Sequence, residues 1–499
     1  MSSPETLRGK DSQSSIHMED AAPTPPQEPI EYDPYARDDP ANPRNWPAWK
    51  KNAQILMVAF HSMSATFVAA GIIPAYDALA EEYGITVPQA SYLTSSQILL
   101  FGIAPFVWKP ITAIYGRYHV FLFSVFGAML CNIGSARSTT FGAQMTARVL
   151  GAILVSPPFG IGSGVINDLC EPEHRAQKLG WWTLMLTLGT PCGPFIMGFV
   201  TQHIGVEWIF WIFTIINFVQ LVLYVVIGDE TLYIPGQQRK QPNNMVQPNR
   251  GFFTKFKPKR IDPRPLRPRK FIDPLFLSRY PRVLIPAVAH AVVFCYANIV
   301  LIVEMPIAFG EKFDFNAQQI GLQFIAIIIG CVLGEQVSGP VSDWFLVALK
   351  RRRANLKHEG EGEGGGEGNV HDADRLWLSY IGYATVVAGL LVWGIQLEKA
   401  DGTWNVTPCV GAAIASFGNQ VITTILIAFA VDSYKERATD VGVCINLYRQ
   451  IYGFIGPFYF PDMFEALKLS GAAGVMCGIV AVAALLPTVA IQFAASRAK

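Results

Sequence analysis

The chain has 499 residues, of which 51% are hydrophobic and only 15% charged, and its formal net charge is +1. A soluble protein carries about 25% charged residues to face water, so this composition points away from a soluble domain and toward lipid as the main solvent. The near-neutral charge gives no sign of nucleic-acid binding, and eight cysteines without a CxxC pair support neither a disulfide framework nor a metal site.

Residues 1–50 are rich in Ser, Pro, Glu and Asp and contain no apolar core, so they are expected to be a disordered tail rather than a signal peptide. Apolar runs long enough to span a bilayer, about 20 residues each, then occur near 52–76, 89–111, 118–136, 140–168, 178–201 and 207–228. A link crowded with Lys, Arg and Pro occupies 229–281. Six further runs lie near 282–307, 317–347, 376–397, 406–431, 438–461 and 470–495. Six plus six about a polar centre suggests an internal duplication. The expected fold is therefore all-α and membrane-embedded, with twelve transmembrane helices in two six-helix bundles, 51–228 and 282–499.

Loop charge sets the expected orientation. Lys109, Arg117, Arg175, Lys178, Lys350 to Arg353, Lys435, Arg437 and the basic link fall on the side of the tail, whereas Glu81, Glu82, Asp314, Glu398 and Asp401 fall opposite. Both termini are thus expected in the cytosol. Trp46 and Trp49 before Lys50 and Lys51 read as an interfacial anchor. The glycine- and glutamate-rich stretch after His358 reads as a low-complexity linker. On the opposite side, Asn405-Val-Thr407 forms an N-x-[ST] sequon, which makes Asn405 a candidate glycosylation site, with its closeness to the tenth span weighing against occupancy.

Polar stripes within apolar runs carry the functional signal. Ser416, Asn419, Gln420, Thr423 and Thr424 fall on one face of the tenth span, and Asn446, Arg449 and Gln450 on one face of the eleventh, widened by Tyr448 and Tyr452. The second span offers Tyr92, Ser95, Ser96 and Gln97, and the first His61, Ser62, Ser64 and Thr66. Each stripe reads either as interhelical hydrogen bonding or as the wall of a water-accessible cavity; several helices sharing the pattern favour the cavity. Ionisable groups at membrane depth cost about 2.5–3.5 kcal/mol each and are functional hypotheses by default. Arg148, Arg449, Glu304 and Glu335 lie within spans, with Asp168 and Asp432 near cytosolic helix ends. Glu304 and Glu335 read either as proton or cation sites or as members of fixed ion pairs. GxxxxGK[ST], HExxH and GxSxG are all absent, so neither ATP hydrolysis nor another enzyme activity is suggested.

Several segments together resemble the major facilitator superfamily, and within it the fungal twelve-span drug:proton antiporters. They are the Asp39-to-Lys51 entry to the first span, Arg148-Val-Leu-Gly151 in the fourth, Gly189-to-Gly198 with Gly193 and Pro194 in the fifth, and Gly339-Pro-Val-Ser-Asp343 after the eighth. The counterpart after the second span keeps Gly116 and Arg117, but Ala113 and Ile114 replace the usual acid and arginine. This resemblance implies alternating access about a midplane cavity, driven by protons and without a cofactor. The expected function is export of a small organic compound such as a drug, toxin or secondary metabolite. Uptake of an organic cation such as a polyamine is the alternative, with a non-transporting solute sensor behind it. The expected partners are a small-molecule substrate, protons and the lipid bilayer, with the chain acting as a plasma-membrane monomer.

Overall fold

The computed structural model describes residues 42–170, 172–233, 260–262, 265–359, 372–434 and 437–497. The tail to residue 41, most of the basic link and the glycine-rich stretch lie outside the described residues, as do the side chains of Gly339 and Asp343. Among the described residues every regular element is helical.

The first half contributes α1 (Ala48–Ala70), α2 (Val87–Tyr115) and α3 (Arg117–Ala136). It continues with α4 (Phe141–Leu169), α5 (Pro172–His203) and α6 (Val206–Ile227). The second half contributes α7 (Pro281–Val303), α8 (Ala317–Glu359), α9 (Arg375–Lys399), α10 (Thr407–Ser433), α11 (Ala438–Ile455) and α12 (Phe460–Ala494). Among the described residues, eleven helices are long and apolar enough to cross a membrane, and α11 is the exception. Asp440, Asn446, Arg449 and Gln450 lower its hydropathy. It packs between α2 and α7, where protein rather than lipid meets those groups.

Local chemistry fixes the ends. A capping box starts α2: the Thr86 amide donates to Gln89 Oε1 at 3.0 Å, and the Gln89 amide to Thr86 Oγ1 at 3.4 Å. Gly116, at φ +86°, ends α2 and turns the chain into α3. There the Glu230 carboxylate accepts from the Arg117 and Tyr118 amides at 2.9 and 3.1 Å, neutralising the helix N-terminus. Some ends differ from the sequence expectation. The first span stops at Ala70 because Gly71 and Pro74 come next, and the seventh stops at Val303 because Pro306 opens a separate short helix, Met305–Phe313. Gly456-Pro457 ends α11 short of residue 461, and Lys468, at φ +58°, breaks α12 near its start.

Within the halves, α1 runs along α5 and α3 along α6, while α10 runs along both α8 and α9. The halves meet chiefly along two helix pairs, α2 with α11 and α5 with α8, and α4 also touches α11. Small residues permit the α5 contacts. A Cβ on Gly193 would lie 2.6 Å from the Phe67 carbonyl of α1, and one on Gly198 2.6 Å from the Ala317 carbonyl of α8.

The two ends of the bundle are closed by different means. Away from the basic loops, Tyr76, Leu79 and Phe210 of the first half join Ile302, Phe309 and Phe324 of the second in one buried apolar cluster. At the basic end, Lys109 of α2 pairs with Asp440 in the first turn of α11.

Candidate functional site

Between the halves lies a cavity of about 50 Å³, walled by residues of α1, α2, α5, α7, α10 and α11. That volume holds a few water molecules at most, so the site is nearly closed. Thr66, Thr94, Thr187 and Thr190 supply hydroxyls from the first half, and Ile98, Phe101, Phe294, Ile299 and Ile302 supply apolar surface. Asn298, Asn419, Gln420, Thr423, Arg449 and Gln450 supply the stronger polar groups.

Arg449 projects from α11 with its guanidinium 4.8 Å from the centre of the Phe294 ring on α7. Its Nη2 donates to Asn446 Oδ1 at 3.0 Å, and Asn446 Nδ2 donates to the Phe101 carbonyl of α2 at 2.8 Å. One polar chain therefore ties the cavity cation to the opposite half. Among the described residues no carboxylate forms an ion pair with Arg449.

Glu335 stands behind the same wall, on α8. Its Oε2 accepts from Gln420 Nε2 at 2.5 Å and from Thr424 Oγ1 at 3.2 Å, both on α10, and its Oε1 accepts from Thr183 Oγ1 of α5 at 3.5 Å. This buried carboxylate links two helices of its own half and reaches across to the other. Gln420 both holds it and lines the cavity.

The remaining candidates are dispersed. Arg148 is 1% exposed and donates from both Nη atoms, at 2.9 Å each, to the Val68 and Ala69 carbonyls that end α1. Gln97 donates to the Arg148 carbonyl at 3.0 Å. His61 lies inside the first half, with Nδ1 3.2 Å from the Tyr224 hydroxyl and Nε2 3.4 Å from Ser124 Oγ. Glu304 is buried at the junction between α7 and the short helix Met305–Phe313. Tyr448 packs in an apolar cluster with Leu277 and Val283. At the basic end Arg117 pairs with Asp168 at 2.5 Å and Arg375 with Asp432 at 3.8 Å. Pro194 lies within α5, its carbonyl 3.0 Å from where a Cβ on Gly321 of α8 would stand. Asn405 is exposed two residues before α10, and its Oδ1 accepts from the Thr407 amide at 3.0 Å.

Sequence reasoning missed two cavity-side residues on α7. His290 Nε2 lies 3.0 Å from Thr423 Oγ1, and Asn298 sits in the π-helical turn Cys295–Ile299. Such turns are frequent at functional sites. The signal in the sequence was a lone His and a lone Asn in a long apolar run.

A family model described as Major Facilitator Superfamily matches residues 56–457. The MFS-type transporter atr4 of Stereocaulon alpinum is 27% identical over 461 residues, covering 91% of this chain and 79% of that protein. The efflux pump radE of Floropilus chiversii is 26% identical over 459 residues, covering 89% and 80%. Among solved structures, the human organic anion transporter MFSD10 (TETRAN) matches with a TM-score of 0.62 at 15% identity, covering 89% of this chain and 99% of that one; this is a likeness of fold.

Proposed function

Because this chain belongs to the Major Facilitator Superfamily, we propose that it exports a small organic compound in exchange for protons, with Glu335 carrying the proton. Its relatives are transporters rather than enzymes. In this reading the halves 51–228 and 282–499 rock as two bodies in the plasma membrane as a monomer, with the basic end facing the cytosol. The name of one relative, an efflux pump, supports the direction.

The observation that carries the reading is the triple engagement of the Glu335 carboxylate by Gln420, Thr424 and Thr183. An ionised carboxylate only accepts hydrogen bonds, whereas a protonated one also donates. Proton binding therefore weakens the charge-assisted bonds from Gln420 and Thr424 and loosens the contact to α5. Since Gln420 lines the cavity, the wall changes with the proton, and the two arrangements differ in their affinity for solute. Arg449 in that wall counts against uptake of an organic cation, which it would repel.

Flux of a panel of drugs and organic cations into proteoliposomes, with an imposed pH gradient, tests the proposal. Glu335→Gln is expected to retain solute exchange at equal pH and to lose accumulation driven by the gradient. Undiminished gradient-driven accumulation in that variant would remove Glu335 from the mechanism.

A further inference from the structure

The cavity wall carries a cation to which no described residue supplies a paired carboxylate. Arg449 spends one nitrogen on the neutral Asn446 and sits 4.8 Å from the centre of the Phe294 ring, and its Nε is buried without a hydrogen-bond partner among the described residues. A guanidinium away from bulk water is costly unless paired and hydrogen-bonded. On the same cavity wall, Asn298 is 1% exposed, and among the described residues neither of its side-chain polar atoms has a hydrogen-bond partner, nor does Asn419 Oδ1. Buried polar groups are nearly always satisfied, so a cluster of them around one cavity calls for a ligand that completes it.

We infer that the transported solute is an amphipathic organic anion whose carboxylate, or a group of the same shape and charge, docks on Arg449 with the Asn298 amide as second donor. The planar guanidinium fork matches a carboxylate, and the cation–π contact with Phe294 helps to hold it in place. Ile98, Phe101, Ile299 and Ile302 supply the surface for an apolar body. The inference rests on the transport reading for its setting but names the substrate class. It also separates the two charged groups by role, Arg449 for the solute and Glu335 for the proton. Exchanging an incoming proton for an outgoing monoanion carries two positive charges inward, so a cell-negative potential assists export twice over.

The test uses the full-length protein in detergent and then in proteoliposomes at equal pH on both sides, so that proton coupling plays no part. Phenylacetate, phenylacetamide and phenethylammonium share an apolar body and differ in charge. The wild type is expected to bind phenylacetate most tightly and to exchange it in counterflow. Arg449→Gln should weaken phenylacetate at least tenfold and bring it level with the amide, and Arg449→Lys should fall between. Should Arg449→Gln fold poorly, Asn298→Asp offers the decisive variant: a carboxylate placed on the same cavity wall offers Arg449 an internal counter-charge and should suppress phenylacetate binding with Arg449 still present. Glu335→Gln should keep the preference for phenylacetate over phenylacetamide and phenethylammonium even where its affinities shift, so loss of coupling and loss of anion recognition are read apart. Preference for phenethylammonium, no phenylacetate binding by the wild type, or unchanged phenylacetate affinity in Arg449→Gln and Asn298→Asp would each overturn the inference.

Discussion

Replacing Arg148 by alanine removes two charge-assisted hydrogen bonds from the end of α1. At about 1.5–3 kcal/mol each they contribute about 3–6 kcal/mol. Against this stands the cost of a guanidinium at membrane depth, about 2.5–3.5 kcal/mol. The net loss expected for Arg148→Ala is thus centred on about 1.5 kcal/mol, within bounds of about −0.5 to 3.5 kcal/mol. The damage is uneven: Ala69 O keeps a bond from Thr94 Oγ1 at 3.2 Å, whereas Arg148 is the only side chain that donates to Val68 O among the described residues. Because Ala69 and Ala70 line the cavity, flux should fall together with stability. The assay is thermal unfolding of the purified protein in detergent beside proteoliposome flux. Arg148→Ala should melt several degrees lower and transport poorly, and Arg148→Lys should recover part of both. A variant that melts and transports like the wild type would refute the reasoning.

Three further outcomes are expected. Gly193→Ala presses a Cβ onto the Phe67 carbonyl and the Gly71 amide, which are backbone and cannot swing aside, so α1 and α5 must separate and the melting temperature should drop clearly. Lys109→Asp should slow transport, and the swap Lys109→Asp with Asp440→Lys should restore it, a double-mutant cycle that isolates the pair across the halves. On a cysteine-free background in intact cells, an impermeant thiol reagent should label Asp401→Cys and spare Arg269→Cys, both exposed sites; the reverse pattern would invert the topology. In the same cells, Asn405→Gln reports by gel mobility whether the sequon is occupied.

Most spans were legible because a bilayer demands a long apolar run whatever its neighbours. Even α11, too polar to satisfy a hydropathy criterion, could be read from its place in the chain and its three-and-four spacing. A polar stripe, however, names a face and not the surface that face meets. On α10 the stripe divides, with Asn419 toward the cavity and Thr424 toward Glu335. The α1 stripe turns mostly into its own bundle, with His61 meeting Tyr224 and Ser64 meeting Gln220 at 3.0 Å, though Thr66 reaches the cavity wall. Asn298 escaped because the π-helical turn inserts a residue into the repeat and rotates the next turns of the helix, so 3.6-residue counting from His290 loses register. Glu230 escaped for another reason. It lies far along the chain from the α3 amides it caps, and only the fold brings that acceptor beside a motif in which Ala113 stands in place of the usual acid.

The unlike closures at the two ends make them answer to different solution variables. Lys109 and Asp440 are 25% and 17% exposed, close enough to solvent for dissolved ions to compete with their attraction. The opposite closure is made by apolar contacts of Tyr76, Leu79, Ile302 and Phe309, and Glu304 beside them is buried away from dissolved ions, so salt has little to screen there, and apolar burial weakens instead on cooling. Raising ionic strength should therefore unlatch the Lys109 end and leave the other shut, whereas chilling should loosen the apolar end first. Salt and temperature become separate handles on which mouth of the cavity opens.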